Sequence, residues 1–462
     1  MKIIAVVFTF WISVTCIAQN TSGRLQSAFQ QFQSDSQMRN GIASLYVIDA
    51  STGNVVFDKN GQIGLAPAST LKIITSISAY EILGKDFRYN TRFEIFKSNR
   101  TAMMFITPSG DPTLGSWRWN GTKEQNVVTR LVAGLKNQGI DTLVGFDIDG
   151  IRWENDPIHK HWMWEDVANY YGANALPLNW RENQFDVVLR SGAKIGDPVR
   201  IVRTNPALVD YDLVSYVTSG GKGTGDNAYI FFPIKNATGI IRGTIPVNEE
   251  NFTISGSMPD ASLQFTHTLL GELKKGGIEK SSSFTIMNWA DSKLNKQNLK
   301  VIHTETSPPL DSIIYWFNKK SINLYGEALI KTIGSEKKQQ GSTSAGLEVV
   351  KNFWKEKGIR VTELNITDGS GLSPVNRVTT SAQVNMLQYA AKQPWFKGFY
   401  NSLPEYNNMK MKSGTIRGVK AFCGYHTAKD GKQYIYSFIV NNYNGPASGI
   451  VSKMYKVLDV LK

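Results

Sequence analysis

Cysteine is nearly absent from this chain: Cys16 and Cys423 are the only two in 462 residues. That scarcity excludes a disulfide framework and a cysteine-rich zinc site. Cys423 falls in the apolar stretch Ala421 to Tyr425 and reads as a small buried hydrophobe. Histidine is scarce too, with five. His159 and His161 flank Lys160 without two further ligands at sensible spacing, so no metal is expected, and no cofactor. Charged residues reach only 19% against 41% hydrophobic, which describes a globular chain and excludes a disordered one. Acidic residues are outnumbered 38 to 51, giving a formal net charge of +13. The positive charges are scattered, as at Lys319-Lys320 and Lys337-Lys338, and no basic stripe interleaved with aromatics marks a nucleic-acid groove. Long hydrophobic runs are missing beyond the first, Ile3 to Ile17, so no other segment is expected to span a bilayer.

That first run follows Lys2 and precedes the small Ala18, the pattern of a cleaved export signal over residues 1–18. It is short for a membrane span, and Ser13, Val14 and Thr15 before Cys16 make a poor lipid-attachment box. The length of the remainder predicts two or three domains.

Strand formers at Ile42 to Ala50, a turn at Ser51-Thr52-Gly53-Asn54 and a second strand from Val55 to Asp58 predict a hairpin. Leu71, Ile74, Ile77, Tyr80 and Leu83 recur every three or four residues, predicting a helix from about Ser69 that Gly84 can stop. From about Arg92 to Asp291 the texture changes to short strands and Gly, Asn and Asp turns, most of all between Phe185 and Pro259. Helical patterns return at 311–319, 324–333, 345–357 and 381–391. Strands follow at 409–412, 421–427 and 434–441, and a closing helix runs from about Ala447 to Leu461. The hairpin and the terminal strands can form one antiparallel sheet flanked by helices, with the middle as an insertion.

Three short motifs carry chemistry. In Ser69-Thr70-Leu71-Lys72, residues three apart share a helix face, so the lysine stands beside the hydroxyl. A neutral amine there can take the serine proton, and a helix start favours developing negative charge. Ser-x-x-Lys also occurs at Ser191, Ser219 and Ser335, in Gly-rich or polar turn contexts. Alone, the tetrapeptide at Ser69 is better explained as a capping serine with a surface lysine. Ser321-Ile322-Asn323 offers a hydroxyl that can relay a proton and an amide that can hold a carbonyl, but alone it is a polar inter-helix loop. In Lys412-Ser413-Gly414-Thr415, a lysine beside hydroxyls can bind a carboxylate, and glycine lets a substrate backbone approach a strand. Alone, this is an edge strand entering a turn.

Together, in this order and spacing, the three form the set known from penicillin-binding proteins and class A β-lactamases. The chain resembles the class C low-molecular-mass penicillin-binding proteins, the D-alanyl-D-alanine carboxypeptidase/endopeptidases. Gly110-Asp111-Pro112-Thr113-Leu114, Asp368-Gly369-Ser370-Gly371-Leu372-Ser373 and Thr415-Ile416-Arg417-Gly418-Val419 extend the likeness over essentially the whole chain after residue 18. The resemblance implies an α+β fold, a β-lactamase/transpeptidase-like antiparallel sheet flanked by helices, with a large strand-rich inserted region. It implies a transpeptidase-like domain from 19–91 and 292–462, an inserted domain from 92–184 and 260–291, and a β-rich domain over 185–259.

It also implies roles. Ser69 is acylated by the penultimate D-alanine carbonyl, Lys72 is the base, Ser321 passes a proton to the leaving amine and Asn323 positions the substrate. Lys412, Ser413 and Thr415 bind the substrate carboxylate, and the backbone N–H groups of Ser69 and Thr415 form the oxyanion hole. Asp149 meets the free amino-acid end of diaminopimelate. Ser413 stands where many relatives have Thr, which keeps the hydroxyl. The segment 368–373 shapes the loop beneath the site. The expected partners are peptidoglycan stem peptides and β-lactams, in the periplasm. The basic surface allows peripheral association with the anionic polymers of the envelope.

Two other functions are weighed. A β-lactamase needs a carboxylate and water to clear the acyl adduct quickly; no candidate is evident, and the chain is too long. A non-catalytic envelope-binding protein on the same fold would have no need of intact Ser69, Lys72, Ser321, Asn323 and Lys412.

Overall fold

A computed structural model describes residues 21–154, 156, 158–232, 237–288 and 299–462. The expected signal over residues 1–18 lies outside them. The chain divides into two compact units. The first comprises residues up to Ile82, Ile314–Ser321 and Val350–Lys462; the second comprises Leu83–Ile313 and Ile322–Val349.

The first unit is built on a six-stranded antiparallel sheet. Its strands, in spatial order, are Glu405–Tyr406, Met409–Ile416, Val419–Thr427, Gln433–Asn441, Ile42–Asp49 and Val55–Lys59. The predicted hairpin is present, and Ile42 to Asp49 pair residue for residue with Asn441 back to Tyr434. Alternation along these strands sends Leu45, Val47, Met409, Met411, Phe422, Tyr436, Phe438 and Val440 to one face. There they meet Leu25, Phe29 and Phe32 of a helix over 21–33, and Ile450, Met454 and Val457 of the closing helix Ala447–Leu458.

The helix Thr380–Ala390 packs on the central strands, and hydrogen bonds fix it to the opposite face. Ser44 Oγ lies 2.6 Å from Thr380 Oγ1, Ser437 Oγ donates to Gln383 Oε1 at 2.6 Å, and Tyr425 OH donates to the Leu387 carbonyl at 2.8 Å. A second helix, Lys72–Leu83, is buried on every side from Lys72 to Tyr80. Its polar groups are satisfied internally: Thr75 Oγ1 donates to the Gly369 carbonyl at 2.7 Å, and Trp354 Nε1 donates to Ser78 Oγ at 2.9 Å.

The second unit holds a five-stranded mixed sheet in the order Glu279–Asn288, Thr142–Ile148, Thr101–Thr107, Asn90–Ser98 and Lys300–Thr306. The helices Glu124–Asn137 and Ala261–Lys275 pack into its core through Val128, Leu131, Phe265 and Leu269. Residues 184–257 supply two three-stranded sheets. Phe185, Val187, Ile230 and Ile241 from those sheets join the same core, so this region shares one hydrophobic cluster with its neighbours.

The second unit also takes in segments on either side of the strand-rich middle. The strand Lys300–Thr306 pairs with Asn90–Ser98, and the helix Asn323–Lys338 buries Tyr325 with its hydroxyl on Glu182 Oε1 at 2.7 Å. Both segments therefore belong to the second unit. No helix among the described residues is long and apolar enough to cross a membrane.

Candidate active site

Ser69 lies in a 3-10 turn, Ala68–Leu71, and the α-helix proper begins at Lys72. The helix expected from about Ser69 thus opens as a 3-10 turn and becomes α-helical at Lys72. Ala68 has φ +46°, a left-handed conformation that a regular helix cannot contain. Gly371 and Gly414 press on this turn. Gly371 sits at φ +83°, and a β-carbon there would overlap the Ala68 carbonyl oxygen. A β-carbon on Gly414 would fall 2.5 Å from the Pro67 carbonyl oxygen and 3.0 Å from the Ser69 nitrogen. A third contact comes from Gln383, whose amide donates to Thr70 O at 3.2 Å and Thr70 Oγ1 at 3.1 Å.

In a 3-10 turn residues three apart nearly eclipse, which brings Lys72 over Ser69 more directly than an α-helix would. Lys72 Nζ lies 3.0 Å from Ser69 Oγ and donates to the Ser370 carbonyl at 2.7 Å. Its side chain is fully buried, with the Phe317 ring centroid 5.7 Å from the amine. Ser69 itself is half-buried.

The Ser370 carbonyl is held by a loop folded around one carboxylate. Asp368, fully buried, accepts from Gly371 N–H at 2.8 Å, Ser373 N–H at 2.7 Å and Asn376 Nδ2 at 2.9 Å. The motif at 368–373 was legible in the sequence; that its backbone carbonyl would hold the Lys72 amine was not.

Ser321 ends the helix Leu310–Lys320 with φ +57°, a second non-glycine residue in the left-handed region. Asn318, one turn earlier, is fixed by Ser76 Oγ at 3.2 Å and by its own donation to Ser402 Oγ at 2.9 Å. Strained backbone held by packing on both sides is typical of functional sites. Lys412 Nζ donates to Ser321 Oγ at 3.0 Å and to the Ser413 carbonyl at 3.0 Å. Burial pushes the Lys412 ammonium down to about 7. The buried thiol of Cys423, directly across the strand pair, opposes that shift, and the charge of Lys420 adds to it.

The first unit thus gathers Ser69, Lys72, Ser321 and Lys412 around the 409–416 strand, although 343 positions of sequence separate its ends (412 − 69). Ser413 is half-buried and Thr415 exposed on the same strand. Asn323 and Asp149 belong to the second unit. Asn323 Nδ2 donates to the Tyr171 carbonyl at 2.7 Å. Asp149 follows the strand Thr142–Ile148 and borders a cavity of about 780 Å³ that Arg88, Arg92 and Trp153 also line. The other Ser-x-x-Lys serines are engaged elsewhere. Ser191 Oγ accepts from Glu249 N–H at 2.9 Å, Ser219 Oγ accepts from Gly192 N–H at 3.0 Å, and Ser335 lies within the helix Asn323–Lys338.

A buried amine held against a serine hydroxyl, with a second cation and a hydroxyl alongside, is a constellation for acyl transfer. Residues 25–459 match the D-Ala-D-Ala carboxypeptidase 3 (S13) family. The chain belongs to that family. The enzyme is accordingly a serine-type D-alanyl-D-alanine carboxypeptidase with the serine–lysine chemistry of its kind.

It is 25% identical over 448 residues to a D-alanyl-D-alanine carboxypeptidase of an Actinomadura species, covering 89% of this chain and 80% of that one. It is 22% identical to the D-alanyl-D-alanine carboxypeptidase DacB of Haemophilus influenzae, covering 84% and 83%. The crystal structure of penicillin binding protein 4 from Haemophilus influenzae aligns with a TM-score of 0.77 at 19% identity, over 92% of this chain and 97% of its own. That last likeness is one of fold, and the α+β fold expected from the sequence is the fold of this enzyme.

Proposed function

We propose that Ser69 is the acylated nucleophile and Lys72 its base, in an enzyme that trims D-alanine from peptidoglycan stem peptides and also cuts cross-links between them. The observation that carries this reading is the Lys72 amine at 3.0 Å from Ser69 Oγ, anchored at 2.7 Å on the Ser370 carbonyl. In its neutral form the amine keeps one N–H on that carbonyl and turns its lone pair to the serine hydroxyl. The amine takes the hydroxyl proton as Oγ bonds to the penultimate D-alanine carbonyl carbon. The resulting oxyanion faces the N–H groups of Ser69 and Thr415, a pair of donors worth about 3 kcal/mol of barrier each. Collapse breaks the C–N bond, and the departing amine takes a proton relayed through Ser321. Water then releases the acyl group from Ser69.

Lys412, Ser413 and Thr415 hold the substrate's terminal carboxylate in this reading. Asn323 positions the peptide backbone, and Asp149 meets the amino-acid end of the stem. β-Lactams acylate the same serine, because their strained amide carbonyl takes the place of the penultimate one. The segment 1–18 directs export to the periplasm, where that substrate lies.

Intact-mass measurement after penicillin treatment tests the assignment. A single adduct is expected on the native enzyme and none on Ser69→Ala. An adduct on both would move the nucleophile elsewhere. Lys72→Met should slow acylation by about 10³-fold, the scale of a lost general base.

A further inference from the structure

The strands Met409–Ile416 and Val419–Thr427 are joined by the two-residue turn Arg417-Gly418, which sets Thr415 opposite Lys420. The pairing brings two polar groups into direct contact: Lys420 Nζ donates to Thr415 Oγ1 at 2.7 Å. The same amine stands 5.0 Å from the Phe422 ring centroid, so the aromatic ring fixes the lysine stem along the strand surface. Lys420 is therefore a held cation on the hydroxyl of a half-open strand.

A second cation lies close by. Lys420 is near enough to Lys412 for its charge to disfavour protonation there. Among the described residues neither amine forms an ion pair with a carboxylate. Two like charges on neighbouring strands, both partly removed from water and lacking a counter-ion, raise the free energy of the empty enzyme. An arriving anion relieves that cost. On the strand that carries Lys412, Thr415 lies opposite Lys420 and Ser413 two residues before it, and both hydroxyls can donate to an anion.

We propose that Lys420 is a second cation of the carboxylate site, and that with Thr415 it holds the free carboxylate of the substrate's terminal D-alanine. The proposal rests on the reading of Lys412, Ser413 and Thr415 given above, and adds a residue outside the three motifs. Lys412, buried beneath the strand, supports the site from behind, while Lys420 meets the anion from the neighbouring strand. The consequence is specificity for a free C-terminus: the enzyme should discriminate strongly against the same peptide with that carboxylate neutralised.

The test compares an N-acylated peptide ending in D-Ala-D-Ala with its C-terminal amide, using native enzyme, Lys420→Met and Lys420→Arg. Met keeps the stem on Phe422 and removes the charge; Arg keeps the charge. Lys420→Met should lower kcat/KM for the free acid by about tenfold or more, the loss of one charge-assisted contact. The amide should change by less than about twofold, since it offers no charge to lose. Lys420→Arg should restore most of the preference for the acid.

An equal fall on both substrates would show that Lys420 only supports the hairpin, and would overturn the proposal. So would an unchanged preference in Lys420→Met. If native enzyme takes the penicillin adduct on Ser69 yet shows no preference for the acid, the carboxylate site itself is misplaced and Lys420 falls with it. If Ser69 takes no adduct, the whole reading of the site fails first.

Discussion

Gly414 faces Ser69 backbone to backbone, with no room between them for a side chain: a β-carbon on Gly414 would lie 3.0 Å from the Ser69 nitrogen. This is where the third motif touches the first. Contact at this point sets the distance between the 409–416 strand and the serine turn.

Gly414→Ala should therefore slow acylation far more than it unfolds the protein. Pushing the strand away from the turn misaligns an oxyanion donor, which costs about 10²-fold or more in rate. The overpacking itself is worth about 1–3 kcal/mol of stability. The second-order rate constant for labelling by a fluorescent penicillin gives the first quantity, and urea denaturation the second. A rate within about threefold of native would show that the turn and strand adjust freely, and would count against the proposed oxyanion donors.

Lys412 makes a prediction about pH. Burial holds its ammonium down to about 7, against about 10.4 in an unfolded chain. Between those values the unfolded state binds more protons, so this residue makes stability rise with pH across the window. Below about pH 7 both states are charged, and the cost of burying the ammonium is present in full. The difference in unfolding free energy between native enzyme and Lys412→Met should therefore shift in favour of the native enzyme as pH climbs from about 7 towards 10. A flat or falling difference would mean that the ammonium is solvated or paired in the folded state.

Asp368 predicts a coupled loss. Replacing it with Ala leaves the N–H groups of Gly371 and Ser373 and the Asn376 amide without their buried acceptor. At about 1–3 kcal/mol for each stranded group, the unfolding free energy should fall by roughly 3 kcal/mol or more. Acylation should slow too, because the loop that presents the Ser370 carbonyl to Lys72 loses its centre. Urea denaturation and penicillin labelling measure the two effects, and a fall below about 1 kcal/mol would show that water replaces the carboxylate.

Much of the site was legible because its side chains sit at fixed offsets in locally periodic sequence. Ser69 and Lys72 precede the run Ile74, Ile77, Tyr80; Lys412 and Gly414 sit in a strand bounded by turns; Ser51 to Asn54 mark the first hairpin. What escaped depends on contacts between distant parts of the chain. The 3-10 turn at Ala68–Leu71 packs against Gly371 and Gly414, some 300 or more positions away (371 − 68 = 303). The strand Lys300–Thr306 reads locally like its neighbours, and only its pairing with Asn90–Ser98 assigns it to the second unit. The Ser370 carbonyl is a backbone group, identical in every residue, so no letter in the sequence advertises its role. Lys420 looks like any strand lysine until the hairpin register sets it against Thr415.

The sheet that frames the serine turn joins segments far apart in the polypeptide, Ile42–Asp49 lying beside Gln433–Asn441. A chain emerging from the ribosome therefore presents Ser69 early, long before the strand that packs against its turn exists. Partial products and C-terminally truncated chains should be chemically inert towards D-alanyl peptides. The frame around the serine turn is complete only once Met409–Ile416, Val419–Thr427 and Gln433–Asn441 have all been made.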